Sequence, residues 1–133
     1  MISGIGTDIV DIPRFSRQLA DLASNFVAGT FTAAELADSR LRPGPVDAHL
    51  AARFAAKEAF VKAWSAGNWG RPTQLPRVDL REIEVVTDDY HRPALALHGA
   101  VALACGQLRC HLSLTHDGDA AMAFVVLEAQ HHP

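Results

Sequence analysis

The sequence predicts an α+β fold in which an antiparallel sheet packs against a long central helix. Three observations predict it. Strand-like and helical segments follow one another without regular βα alternation. Residues 48–66 form a helical stretch that is apolar on nearly every side, so it belongs in the interior. Two apolar runs, 108–115 and 120–127, flank His116-Asp117-Gly118-Asp119, and Asp-Gly between such runs signals a hairpin. Neither G-x-x-x-x-G-K-[ST] nor G-x-G-x-x-G occurs, and Gly4-Ile5-Gly6 is too little to stand in for either.

The elements follow in order. Ile2 to Ile12 reads as a strand closed by Pro13. Ile5, Thr7 and Ile9 point one way; Gly4, Gly6, Asp8 and Val10 point the other. The two glycines are expected to leave open space beside the Asp8 carboxylate, or to admit close approach by another group. Pro13 opens a helix, and Arg14 to Phe26 carries its apolar pattern on Phe15, Leu19 and Leu22. Thr32 with Glu35 three positions on forms a capping box for a short helix from Ala33, ended by Pro43-Gly44-Pro45. Asp47 is the expected N-cap of the central helix and Gly67 its C-terminal cap. Asn68 to Arg77 is a loop. Leu80 to Thr87 reads as a strand, Asp88 to Arg92 as a turn, Pro93 to Leu97 as a strand, and Gly99 to Gly106 as a short helix. Glu128 to Pro133 is expected to fray.

Length and composition narrow the function classes. A chain of 133 residues, 49% hydrophobic, suits one domain spanning 1–133 with a real core. A net charge of -3 is a poor match for nucleic acid, which asks for a basic face. No window reaches about 18 apolar residues, so no membrane span is expected. Cys105 and Cys110 lack the spacing of a zinc site and read as reduced packing residues. With no signal-like start, the expected location is the cytoplasm.

The central helix holds the main anomaly. Arg53, Lys57, Glu58 and Lys62 interrupt an otherwise apolar surface. Buried charges are expensive unless they are paired, metal-bound or solvated in a cleft. Glu58 reads equally as a salt-bridge partner of Lys62 or as a metal ligand. Asp8, mid-strand between glycine-bearing positions, is a second candidate ligand. Two carboxylates with no soft donors suit magnesium, which keeps substrate phosphates in its shell. Arg53, Lys57 and Lys62 would hold a pyrophosphate beside it. A row of solvated charges is the alternative. In His111-Leu112-Ser113-Leu114-Thr115-His116, alternation separates the histidines onto opposite faces, with His116 at the strand end. Asp117 and Asp119 read as turn residues.

Three segments together resemble the holo-acyl-carrier-protein synthase group of 4'-phosphopantetheinyl transferases. They are Gly4-Ile5-Gly6-Thr7-Asp8-Ile9-Val10, the run Arg53 to Ala63 with Lys57-Glu58 and Lys62, and His111 to His116. The resemblance implies transfer of phosphopantetheine from coenzyme A to a serine of an acyl carrier protein or a fatty acid synthase carrier domain. It implies magnesium on Asp8 and Glu58, and Lys62 at the pyrophosphate. Arg53, Lys57, Pro93, Thr115 and His116 would lie around the nucleotide, with His116 reaching a neighbouring subunit's site in a homotrimer. Arg14 would meet the acidic carrier. Glu58 and Lys62 would be catalytic. Two features depart from the family. Tyr90-His91-Arg92-Pro93 lacks the glycine often found in the adenine turn, and Asn68 to Arg77 is longer and richer in proline. The rival readings are a magnesium-dependent nucleotide pyrophosphate hydrolase and a noncatalytic carrier-binding module using Arg14, Arg40 and Arg42.

Overall fold

Strand β1 (Ile2–Asp11) forms because alternating residues find two different environments. Gly4, Gly6 and Val10 are buried on one side, while Ile5 and Ile9 face outward. A computed structural model describes residues 1–130, and the last residues of the expected fraying tail, 131–133, lie outside the described residues. After β1 the chain runs through α1 (Ile12–Ala20), α2 (Phe26–Thr30), α3 (Ala33–Leu41) and the long α4 (Val46–Gly67). It continues through β2 (Ile83–Thr87), β3 (Pro93–Leu97), α5 (Gly99–Cys105), β4 (Leu108–Asp117) and β5 (Ala120–Ala129).

Two antiparallel sheets result. One has the order β1-β5-β4, and the other is the β2-β3 hairpin. Helix α4 crosses the inner face of the first. Ala51, Ala55, Ala56, Ala59, Phe60 and Ala63 on the helix meet Val10, Ala121, Ala123, Val125 and Leu127 on the strands in one core. This is the α+β architecture that the pattern predicts. Small residues dominate the contact because helix and sheet lie very close. A Cβ on Gly4 would sit 1.9 Å from the Ala63 carbonyl oxygen, and one on Gly6 would sit 2.0 Å from that of Ala59. The glycines therefore do not open a space beside Asp8. They let the α4 backbone press against β1, which is the close approach that the sequence allowed.

Several local expectations are corrected. Helix α1 ends at Ala20, so Leu22 lies beyond it and is exposed, and α2 is a separate element. Asp11 caps α1 by accepting from the Arg14 backbone N–H at 3.0 Å. Helix α4 starts at Val46 with Pro45, not Asp47, at its N-cap, and Gly67 is its last residue. Leu80–Glu82 is a single 3-10 turn, and the strand begins at Ile83. Asp117 and Ala120 pair across β4-β5, leaving Gly118-Asp119 as the turn, so His116 is inside a strand. Glu128 and Ala129 do not fray: they belong to β5, and Ala129 N–H donates to the Met1 carbonyl at 2.9 Å. The Thr32–Glu35 capping box is present in both directions.

Among the described residues, none covers the outer face of the first sheet. Register places Ile5, Thr7 and Ile9 of β1 beside Val126, Phe124 and Met122 of β5, and these beside His111, Ser113 and Thr115 of β4. Ile5, Ile9, Met122 and Phe124 are exposed apolar side chains on that face.

Candidate active site

Beyond Asp47 in its first turn, four charges punctuate α4, and their helical positions sort them into two pairs. Arg53 and Lys57 are four residues apart and share one face. Glu58 and Lys62 share the next face round. The first pair points away from β1 and the second points toward it.

Lys57 is completely buried. Its ammonium donates to Glu35 Oε1 at 2.8 Å, the Leu80 carbonyl at 2.8 Å and the Ile83 carbonyl at 2.7 Å. A lysine has only three donors, so all are used. Burial lowers its pKa, with Glu35 opposing. Glu35 also accepts from the Thr32 and Val85 N–H groups. The pair thus fastens α3, α4 and β2 together at one point. The expectation that Lys57 lies at a phosphate is corrected, because it has no donor left to offer.

Arg53 is 4% exposed. It pairs with Asp38 and donates to the His49 carbonyl at 3.1 Å. Its Nε has no partner among the described residues. Asp38 also accepts from Arg42 Nε at 3.0 Å, and Arg42 Nη2 donates to Thr87 Oγ1 at 2.9 Å. Burial raises the Asp38 carboxyl, but the two guanidiniums win and hold it below the usual carboxylate range. Arg42, Arg53, His49, His91, Pro93, Thr115 and His116 line a cavity of about 250 Å³. The rings of His49 and His116 meet edge to face at 6.3 Å. Arg53, Pro93, Thr115 and His116, chosen from sequence as nucleotide neighbours, therefore share one basic cavity. The pattern had not flagged His49, although it stands one helical turn before Arg53. His91 was passed over as a turn residue.

The second pair meets β1. Lys62 donates to Asp8 Oδ1 at 2.9 Å and to the Thr7 carbonyl at 3.1 Å. The pKa of Glu58 is raised, first by burial and then by the negative charge of Asp8, with Lys62 opposing. Asp8 and Glu58 line a second cavity of about 360 Å³ together with Arg14 and Phe54. Residues some fifty positions apart are thus brought together because Gly4 and Gly6 admit the helix. Among the described residues, no three His, Cys, Asp or Glu side chains gather as a metal cage. Two carboxylates whose like charges oppose each other are nevertheless a donor set that a hard divalent cation fits. Magnesium needs only one or two carboxylates when phosphates complete its shell.

Comparison with known proteins decides what this arrangement belongs to. The 4'-phosphopantetheinyl transferase superfamily matches residues 4–125. The chain belongs to that superfamily. It is 44% identical over 128 residues to the holo-[acyl-carrier-protein] synthase of Mycobacterium tuberculosis, covering 96% of this chain and 98% of that protein. A solved acyl carrier protein synthase of the same organism superposes with a TM-score of 0.81 at 41% identity, over 98% of this chain and 100% of that one. The Chronobacterium ammoniagenes synthase in complex with coenzyme A gives a TM-score of 0.87 at 39% identity, over 96% and 98% of the two chains.

Proposed function

We propose that this chain is a magnesium-dependent transferase of one domain that moves 4'-phosphopantetheine from coenzyme A to a serine of an acyl carrier protein, releasing 3',5'-ADP. The observation that carries the reading is the meeting of Asp8, Glu58 and Lys62. The similarity to a synthase solved with coenzyme A supports the donor. Asp8 and Glu58 would hold the magnesium ion. When bound, the ion supplies positive charge that draws electron density from the reacting phosphate.

The chain's own residues do the rest. The carrier serine hydroxyl attacks the β-phosphorus, forming the new P–O bond as the bond to the ADP oxygen breaks. The Glu58 carboxylate takes the serine proton. Lys62 turns its ammonium from Asp8 to the pyrophosphate and steadies the leaving oxygen. Arg53, Thr115, His116 and Pro93 orient the nucleotide in the basic cavity. Arg14, which lines the cavity of Asp8 and Glu58, would meet an acidic carrier.

A homotrimer is part of this proposal. No described residue lines both the nucleotide cavity and the Asp8–Glu58 cavity. One substrate engages both if the cavity of one subunit faces the carboxylates of the next. The uncovered apolar sheet face, with Ile5, Ile9, Met122 and Phe124, supplies an interface for such an assembly. The two free cysteines suit a reducing compartment, the cytoplasm.

The test is to incubate the protein with coenzyme A, magnesium and a carrier protein, and weigh the carrier. A gain of one phosphopantetheine that is lost on chelation is expected. Nucleotide breakdown with an unmodified carrier would contradict the reading.

A further inference from the structure

The turn between β2 and β3 holds a residue that the proposed reaction does not yet use. His91 has φ 64°, and it is the only non-glycine residue with positive φ among those described. A Cβ disfavours that region, and such conformations persist where surrounding contacts over-determine them. The contacts are present. Asp88 Oδ1 accepts from the backbone N–H groups of Tyr90 at 2.8 Å and Arg92 at 2.9 Å, and the His91 N–H donates to the Asp88 carbonyl at 3.0 Å. Asp88 also pairs with the Arg92 guanidinium, which lies 5.0 Å from the Tyr90 ring centroid. Both neighbours of His91 are thereby engaged with each other and with Asp88. The imidazole of His91 has no hydrogen-bond partner among the described residues, and it lines the basic cavity.

Its company there includes two guanidiniums and two imidazoles, set among Thr87, Thr115 and apolar side chains. Arg42 and Arg53 enter from α3's end and α4, His49 from α4 and His116 from β4. The unpartnered Nε of Arg53 leaves a buried donor without an acceptor. Such a lining suits an anion with several acceptor oxygens. The pyrophosphate of coenzyme A is already assigned to Asp8 and Glu58, which line the other cavity, and to Lys62 beside Asp8. The remaining anion on that donor is the phosphomonoester of its ribose.

We propose that His91 is a substrate-binding residue that donates from the turn to the ribose phosphate of coenzyme A. The strained turn sets His91 against the cavity, and Asp88 holds the turn. This rests on the coenzyme A reading above. It adds a contact that discriminates coenzyme A from its 3'-dephospho form.

Two variants separate binding from backbone strain. His91→Ala keeps the Cβ and removes the ring, whereas His91→Gly removes both. KM is measured for coenzyme A and for 3'-dephospho-coenzyme A with a carrier protein, alongside thermal melting. Both variants should raise KM for coenzyme A by about tenfold, the scale of a lost charge-assisted hydrogen bond. Both should leave KM for the dephospho form close to wild type. His91→Gly should melt above His91→Ala, so the loss of affinity does not follow stability. Unchanged KM for coenzyme A in either variant would overturn the proposal, as would an equal loss for both donors. Wild-type protein that transfers from neither donor would instead remove the functional reading, and this inference with it.

Discussion

The two charged pairs of α4 occupy one helix and answer to the same rule, yet they end in opposite conditions. Arg53 and Lys57 are almost wholly enclosed and bound to acidic partners on α3. Glu58 and Lys62 remain partly open to solvent beside Asp8, with Glu58's carboxyl displaced upward by burial and a like charge. A charge in an apolar helix signals that something must compensate it. The compensation is internal for the first pair. For the second it is incomplete, and incompleteness is what leaves room for an ion and a phosphate. The 100° between successive residues separates a structural tie from a reactive cluster.

The largest expected effect comes from the closed pair. Lys57→Met leaves Glu35 buried without its partner and should cost about 3–5 kcal/mol of stability, a large share of a small domain's total. Chemical denaturation measures it, and a loss below about 1 kcal/mol would show that the tie contributes little. Glu58→Gln, one residue away, should leave the melting curve nearly unchanged while lowering transfer by about a hundredfold, roughly 2.7 kcal/mol of barrier. Paired circular dichroism and carrier-modification rates show whether the two positions divide in this way. Gly6→Ala sharpens the comparison from the β1 side. Its methyl would collide with the Ala59 carbonyl. It should cost about 1–3 kcal/mol and also slow transfer, because it moves Asp8 away from α4.

The smallest effect is a pH dependence at the edge of the closed pair. The Thr32 hydroxyl, aided by His98, holds the Glu84 carboxyl below its ordinary value of 4.5, against burial. A depressed carboxyl contributes stability that is fully present above the unfolded value. That contribution is lost as pH falls through the folded value. Wild-type protein should therefore weaken below about pH 4.5, and Thr32→Ala should flatten that limb while losing about 1 kcal/mol of helix capping at all pH values. Urea midpoints across pH 3 to 7 measure both, and parallel curves for the two proteins would refute the Glu84 assignment.

Local signals were legible in the sequence wherever a short pattern carries its own physics. The capping box at Thr32, the alternation of β1 and the apolar girth of α4 all follow from nearby residues. Asp8 and Glu58 stood out as carboxylates set among glycines and apolar residues, with Lys62 one turn on from Glu58 as the local partner on offer. Partners chosen by tertiary packing were not legible. Nothing in the spacing of Glu35 and Lys57 announces that they meet, so Lys57 was read toward a phosphate. Gly4 and Gly6 allowed open space or close approach by another group, and the approaching body, the α4 backbone, lies more than fifty residues away in the chain. His91 was hidden for another reason. Its left-handed φ depends on Asp88 gathering the turn's N–H groups, a geometry that Asp88 to Arg92 as letters does not show.

The most direct test of the open cluster is the binding of magnesium itself. Calorimetric titration of magnesium into the protein with coenzyme A present should show a single ion bound per chain. Asp8→Asn and Glu58→Gln should each weaken it at least tenfold, while both variants keep the wild-type fold by circular dichroism. Magnesium binding of wild-type strength in both folded variants would contradict the account, because the ion would then be held elsewhere.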